Sequence, residues 1–265
     1  MDTANFKRIA ELRDSGRLED AIRESQVLLT ETTDANEKAS ILTGVHVFYC
    51  TLGRLKEARQ TLGQLKQLHI SEPEVLLNAE FCEPTFLIQE GRYEDGLSAF
   101  VAMLDRHSEA FEEERFRYLY EDIQCRRALT LVGLSRFKEA LPILGEAVYF
   151  SFNQATDEQQ VRFALGVCLE DANDTEAAKQ EFIRAVGFGL KNDVEERALY
   201  RLAILHYKTG ALAQAKQQLE TILRDFPNQS PAVPRKQVYE GLSQTYRYLG
   251  DKANEKLYMD LAQKP

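Results

Sequence analysis

Residues 198–227, ALYRLAILHYKTGALAQAKQQLETILRDFP, read as two short amphipathic helices joined by one tight turn. Leu199, Leu202, Ala203 and His206 recur at helical spacing before Gly210, and Ala215, Leu219, Ile222, Leu223 and Phe226 do so after it. Each helix therefore has one face to bury. Gly210 tolerates the positive φ that ends the first helix, and Pro227 cannot continue the second, so the unit carries a stop at both ends. The pattern predicts a helical hairpin.

Laid outward over the rest of the chain, this hairpin places turn residues at Gly16, Gly53, Gly91, Ser135, Asn173, Gly210 and Gly250, in steps of 37, 38, 44, 38, 37 and 40. Five residues after the first six turns stands a small residue: Ala21, Ala58, Gly96, Ala140, Ala178 and Ala215. Two closely approaching helices require this. The seventh turn has Glu255 at that place. Nine residues after the turns come Ser25, Leu62, Phe100, Leu144, Phe182, Leu219 and Met259, an apolar face broken once.

This repetition resembles the tetratricopeptide repeat family. The residues that carry the resemblance are LGRLKEA at 52–58, EGRYEDG at 90–96, SRFKEA at 135–140 and LAILHYKTGALAQA at 202–215, followed by Pro227. The resemblance covers nearly the whole chain. It implies an all-α fold, an α-solenoid of about seven helix-turn-helix hairpins forming a right-handed superhelix, as a single domain over 1–265. The steps exceed the family's usual repeat of about 34 residues. Ala128, Gly166, Ala203 and Ser243 supply the small residue expected in the first helix, whereas Ile9, His46 and Pro84 stand in its place elsewhere. Other α-solenoids are the alternative architecture.

Composition agrees with a helical protein. The 265 residues are 44% hydrophobic, ample for a core, and 14 Gly, 7 Pro and no Trp argue against a turn-rich all-β chain. A net charge of −9 repels phosphate backbones, and no basic cluster with interleaved aromatics offsets it, so nucleic acid is not an expected partner. The same acidity argues against an anionic membrane surface. MDTANFKRIAEL enters a helix without a basic and then apolar leader, and no apolar run is long enough to span a bilayer. Cys50, Cys82, Cys125 and Cys168 are far apart within helical patterns and read as reduced thiols. These features predict a soluble, cytoplasmic protein.

Four local features break the regularity. The first hairpin has a more polar first helix, as an end repeat facing water does. Pro84 removes a backbone donor inside a first helix and predicts a kink or split there. In EAFEEERFRYLYEDIQCRR, 109–127, Glu113 and Arg117, and Glu114 and Tyr118, are four apart, predicting an extended helix with weak surface ion pairs. PNQSPAVP, 227–234, reads as an extended connector.

Catalytic and ligand motifs are missing from the sequence. It contains no glycine-rich phosphate loop, no HExxH, CxxC or GxSxG, and no calcium-loop pattern. His46 and Cys50 lie four apart on one helix, but two ligands do not complete a tetrahedral zinc site. The carboxylates of Glu112, Glu113 and Glu114, and of Glu170 and Asp171, are on adjacent helical residues and point apart. His206 falls on a packing face. No catalytic residue, metal or cofactor is expected, and an enzyme is disfavoured.

In the family, the first helix of each hairpin lines the concave surface, through residues ten, six and three before each turn. The ends of this chain are polar there, with Arg13 at one end and Glu240, Gln244 and Arg247 at the other. The middle offers an apolar and aromatic trough: Phe81, Ile88, Leu129, Phe163, Val167, Tyr200, Ile204 and Tyr207. Family members that grip the acidic C-terminal tail of a heat-shock chaperone place lysine and asparagine at the first two positions, and no hairpin here has either. Such a trough suits an apolar partner helix or an extended segment, with Glu170 and Arg247 as polar rim. It is either open or filled by its own side chains. The function that follows is a non-catalytic protein-binding scaffold or adaptor; the alternative is a homo-oligomerisation module within a larger assembly.

Overall fold

All seven expected turn residues adopt the left-handed backbone conformation, with φ of 74° at Gly16, 69° at Gly53, 77° at Gly91, 59° at Ser135, 62° at Asn173, 79° at Gly210 and 78° at Gly250. Each turn is closed by the same two hydrogen bonds. At the fourth, Ser135 N–H donates to Val132 O at 3.0 Å and Arg136 N–H to Leu131 O at 2.8 Å; at the sixth, Gly210 N–H donates to Tyr207 O at 3.1 Å and Ala211 N–H to His206 O at 2.8 Å. This is a Schellman closure, which satisfies carbonyls that a helix end leaves over. Four of the turns are followed by an arginine whose side chain pairs with an acid three residues on: Arg17–Asp20, Arg54–Glu57, Arg92–Asp95 and Arg136–Glu139. Asp174 and Asp251 instead accept the backbone N–H of Ala177 and Asn254, capping the second helix directly.

The computed structural model describes residues 3–226 and 231–264, so Pro227 and the first half of the expected connector lie outside the described residues. Among the described residues all regular secondary structure is helical. Two compact units divide the chain, residues 1–123 and 124–265. The first contains α1 (Thr3–Asp14), α2 (Leu18–Glu31), α3 (Ala35–Thr51), α4 (Leu55–Leu65), α5 (Pro73–Gln89), α6 (Tyr93–Arg106), the short α7 (Ser108–Phe111) and a 3-10 turn (Glu114–Phe116). The boundary falls inside α8 (Arg117–Gly133). The second unit continues with α9 (Phe137–Ala147), α10 (Ala155–Asp171), α11 (Thr175–Val186), α12 (Asp193–Lys208), α13 (Leu212–Asp225), α14 (Arg235–Leu249) and α15 (Lys252–Ala262). Consecutive helices pack against one another from α1 to α7 and from α9 to α15, and first helices of successive hairpins also touch, α3 on α5, α10 on α12 and α12 on α14.

The helices of a hairpin cross where the sequence pairs a residue seven before the turn with one five after it. Ala21, Ala58, Ala140, Ala178 and Ala215 are completely buried at the second of these places. The departures from a small first-helix residue have physical compensation. His46 turns its Nδ1 to the Ala58 carbonyl at 3.0 Å; in the last hairpin, where it is the second helix that departs with Glu255, the small Ser243 donates to the Glu255 carbonyl at 3.1 Å, so each uses the backbone that approaches it. Opposite Pro84 the chain has no side chain at all: a Cβ on Gly96 would lie 3.0 Å from the Pro84 carbonyl oxygen and 2.7 Å from Ile88 Cγ1. In α10 the allowance is reversed, since a Cβ on Gly166 would lie 2.7 Å from Phe182 Cε1.

Three expectations are corrected. Helix α5 is not split at Pro84 but runs unbroken over 17 residues. Pro84 is buried against Gly96, and this close crossing holds the helix across the missing hydrogen bond. Residues 109–127 are not one extended helix. Glu113 is in extended conformation, with φ −78° and ψ 130°, and pairs with Arg115 at 2.7 Å, while Arg117 pairs with Glu121 at 3.0 Å. The break turns Phe116 inward, where it is 1% exposed, and burying a phenylalanine stabilises by about 1.5–3 kcal/mol, far more than a surface ion pair. Finally, Met259 is 40% exposed, unlike Phe100, Leu144 and Phe182 at the equivalent place, which are fully buried. No described helix follows α15 to cover it.

Candidate protein-binding site

Four of the eight trough residues come together in the second unit. Phe163 and Val167 of α10 and Tyr200 and Ile204 of α12 line one cavity of about 590 Å³, with Val132, Phe137, Glu170, Arg197, Arg201 and the segment Ala232–Pro234. That volume lies in the range of about 300–1,000 Å³ typical of ligand pockets. Val167 is buried, and Phe163, Tyr200 and Ile204 are half-buried, so part of each ring or chain remains open to a ligand. Phe163 leans on Phe182 of α11, ring centroids 5.8 Å apart, which fixes its rotamer from behind. Burial, aided by the nearby Glu240, raises the pKa of the Tyr200 hydroxyl.

The other four lie elsewhere. Phe81 and Ile88 belong to the first unit and pack against its cluster of Leu77, Phe100, Met103, Phe116, Leu119 and Ile123. Leu129 is half-buried on α8 and does not line the cavity. The Tyr207 ring meets that of Tyr248 edge-on, centroids 5.7 Å apart, and burial beside Tyr248 raises its pKa. Of the two expected rim residues, Glu170 lines the cavity and pairs with Arg201 at 2.8 Å and Lys208 at 3.9 Å. Arg247 does not; it pairs with Glu255 at 2.7 Å and lines a separate depression with Glu240 and Gln244.

One wall of the cavity is loop rather than helix, and a buried ion pair holds it. Glu196 and Arg235 meet at 2.6 Å with side chains only 3% and 10% exposed. The second Glu196 oxygen accepts the Ala232 backbone N–H at 2.9 Å, and Arg235 donates to the Phe226 carbonyl at 3.1 Å. Both charges thus find further hydrogen bonds, which a buried pair needs to offset its desolvation. The same device recurs with neutral groups: Asn36 accepts the backbone N–H groups of Ser71 and Glu72, and the buried Gln159 accepts from Asn192 at 2.7 Å. In each case a polar side chain early in a first helix holds the loop that leads to the next one.

The remaining sites expected to be structural have ordinary surroundings. His46 is 1% exposed, edge-on to Phe86, and burial lowers its pKa. Its Nε2 lies 3.5 Å from Cys50 Sγ, and burial pushes the Cys50 thiol up to about 11. His206 contacts Gln218 Oε1 at 2.9 Å.

The sequence reading missed Arg197, Arg201, Phe137 and the loop wall. Arg197, Tyr200, Arg201 and Ile204 follow helical spacing on one face of α12, so extending the register one turn towards the helix start reaches Arg197. Phe137 and Ala232–Pro234 carry no such signal, because which loop closes over a cavity is set by tertiary packing.

The family model of the tetratricopeptide repeat matches residues 197–228, a range that includes the cavity-lining Arg197, Tyr200, Arg201 and Ile204. No curated protein matches the chain. Among solved structures, a tetratricopeptide repeat protein from Parabacteroides merdae is 13% identical with a TM-score of 0.57, covering 98% of this chain and 91% of that one. The apo form of the quorum sensor NprR from B. thuringiensis is 14% identical with a TM-score of 0.71, covering 98% and 74%. PH0952 from Pyrococcus horikoshii, a signal transduction ATPase with numerous domains and a tetratricopeptide repeat sensor, is 15% identical with a TM-score of 0.75; the match covers 98% of this chain and 41% of that one. At these identities the likeness is one of fold. Residues 197–228 match the tetratricopeptide repeat, and the chain has the fold of tetratricopeptide-repeat proteins.

Proposed function

We propose that the chain is a non-catalytic protein-binding scaffold or adaptor, acting as one domain over 1–265, whose binding site is centred on the cavity between α10 and α12. The carrying observation is the meeting of Phe163, Val167, Tyr200 and Ile204 around about 590 Å³ of space, with polar groups at its edge. Half-buried aromatic rings held from behind give apolar area at little entropic cost, which favours a partner's apolar helix or extended segment. Likeness to a quorum sensor and to a tetratricopeptide repeat sensor supports a recognition role. The net charge of −9 favours protein over nucleic acid or an anionic membrane, and four free cysteines suit the reducing cytoplasm. The test is affinity capture from extract with the double substitution Phe163→Ala/Tyr200→Ala run in parallel. Loss of specific partners by a variant with unchanged helical circular dichroism is expected; full retention by a folded variant removes the cavity from the account.

A second reading, self-association, draws on the last described hairpin, where Tyr248 is 70%, Leu257 50% and Leu249 45% exposed. Sedimentation at a multiple of 30.3 kDa supports it, and a monomer across micromolar concentrations removes it.

A further inference from the structure

In this acidic chain the arginines are almost all engaged. Among the described residues, every arginine but one has an ion pair, hydrogen bond or comparable interaction. The exception is Arg197. It is exposed, and it lines the aromatic cavity. The other cavity-lining guanidinium, Arg201, is engaged by Glu170, which also attracts Lys208. The charged residues lining the cavity are Glu170, Arg197 and Arg201, a surplus of one positive charge on a protein of net charge −9. A guanidinium left unpaired beside an apolar cavity is placed to meet a carboxylate, with which it forms charge-assisted, bidentate hydrogen bonds.

We propose that the cavity takes a partner segment in which an Asp or Glu side chain accompanies large apolar residues, the carboxylate pairing with Arg197 while the apolar groups enter against Phe163, Tyr200 and Ile204. This rests on the reading of the cavity as a protein-binding site and specifies its ligand. Geometry sets the spacing. Arg197 and Ile204 are seven residues apart on α12, roughly 10 Å along the axis. An extended segment advances about 3.3 Å per residue. The acid and the apolar residue over Ile204 therefore stand about three positions apart. The two positions at which family members place lysine and asparagine to grip a chain end hold Phe163 and Val167 in α10 and Tyr200 and Ile204 in α12, so the carboxylate proposed for Arg197 is that of a side chain.

The experiment uses fluorescent peptide pools, blocked at both ends, with randomised flanks around a core of Asp or Glu three positions from Phe or Leu. Matched pools carry Asn or Gln, or Lys, in place of the acid, and a further amide pool ends in a free carboxylate. Anisotropy is measured with the full chain, Arg197→Ala, Arg197→Glu and Phe163→Ala/Tyr200→Ala. The acidic pool binds wild type most tightly, Arg197→Ala weakens it about tenfold to the level of the amide pool, and Arg197→Glu shifts preference to the lysine pool. Arg197 is exposed, so the variants keep wild-type melting temperature. Equal binding of acidic and amide pools, or an unchanged preference in Arg197→Glu, overturns the carboxylate assignment; it leaves the protein-binding reading standing if Phe163→Ala/Tyr200→Ala still weakens binding. Tighter binding of the free-carboxylate pool also overturns it. If wild type binds every pool no better than Phe163→Ala/Tyr200→Ala, the underlying reading fails and this inference with it.

Discussion

Hairpins α5/α6 and α10/α11 contain the same aromatic pair in the same geometry. Phe81 leans on Phe100 and Phe163 on Phe182, each with centroids 5.8 Å apart and planes at 46°. Each pair joins the residue ten before a turn to the residue nine after it. Their surroundings differ. In the first unit the long connection after α6 brings Phe116, Leu119 and Ile123 into the cluster on which Phe81 packs. In the second unit Phe163 lines a cavity together with the short segment Ala232–Pro234. The repeat register decides which side chains meet within a hairpin, whereas the connections decide whether the free face of a ring is covered by core or lines a cavity.

Removing the tether of that loop wall has the largest expected effect. Glu196→Ala leaves Arg235 buried without its partner and is expected to cost about 3–5 kcal/mol in urea unfolding. Glu196→Gln, which keeps an acceptor for the Ala232 N–H, costs less. A loss below about 1 kcal/mol for Glu196→Ala contradicts the tether.

The two glycines at the helix crossings separate the two hairpins further. Gly96→Ala and Gly166→Ala each force a contact of 2.7 Å, with Ile88 and Phe182 respectively. Each is expected to cost about 1–3 kcal/mol by overpacking. Only Gly166→Ala displaces the ring that supports Phe163, so it alone also weakens peptide binding. Equal effects of both on binding remove the distinction between the two hairpins.

The smallest effect concerns a turn. Ser135 holds φ at 59°, a conformation that costs a residue with a Cβ about 1–2 kcal/mol. Ser135→Gly relieves this but adds freedom to the unfolded chain, for a net gain of up to about 1 kcal/mol in thermal unfolding. Asn173→Gly gains less, because asparagine tolerates this region better. Destabilisation by Ser135→Gly contradicts this view of the turn.

What the sequence shows and what it hides follow from the range of each interaction. The turns at Ser135 and Asn173 are legible despite lacking glycine, because spacing to Ala140 and Ala178 marks them and a Schellman closure is local. Pro84 misleads as a helix breaker because its compensation, Gly96, is twelve residues away on another helix. Glu113 and Arg117 suggest helix by spacing, but Phe116 decides the matter through a buried contact that no local pattern reveals. That Phe163, Val167, Tyr200 and Ile204 lie on one side of their helices follows from register, and the structure brings the four to one cavity. Arg197 falls one turn outside the family's usual positions, and that it lines the cavity without a partner among the described residues is visible only in three dimensions.

On the proposed function, the second unit's cavity, and not the matching aromatic position of the first unit, receives a partner. Site-specific photo-cross-linking in cells, with p-benzoylphenylalanine in place of Tyr200 or of Phe81, tests it most directly. The account predicts a discrete cross-linked partner from position 200, reduced by Arg197→Glu, and none from position 81. Cross-linking from position 81 alone, or equally from both, contradicts it.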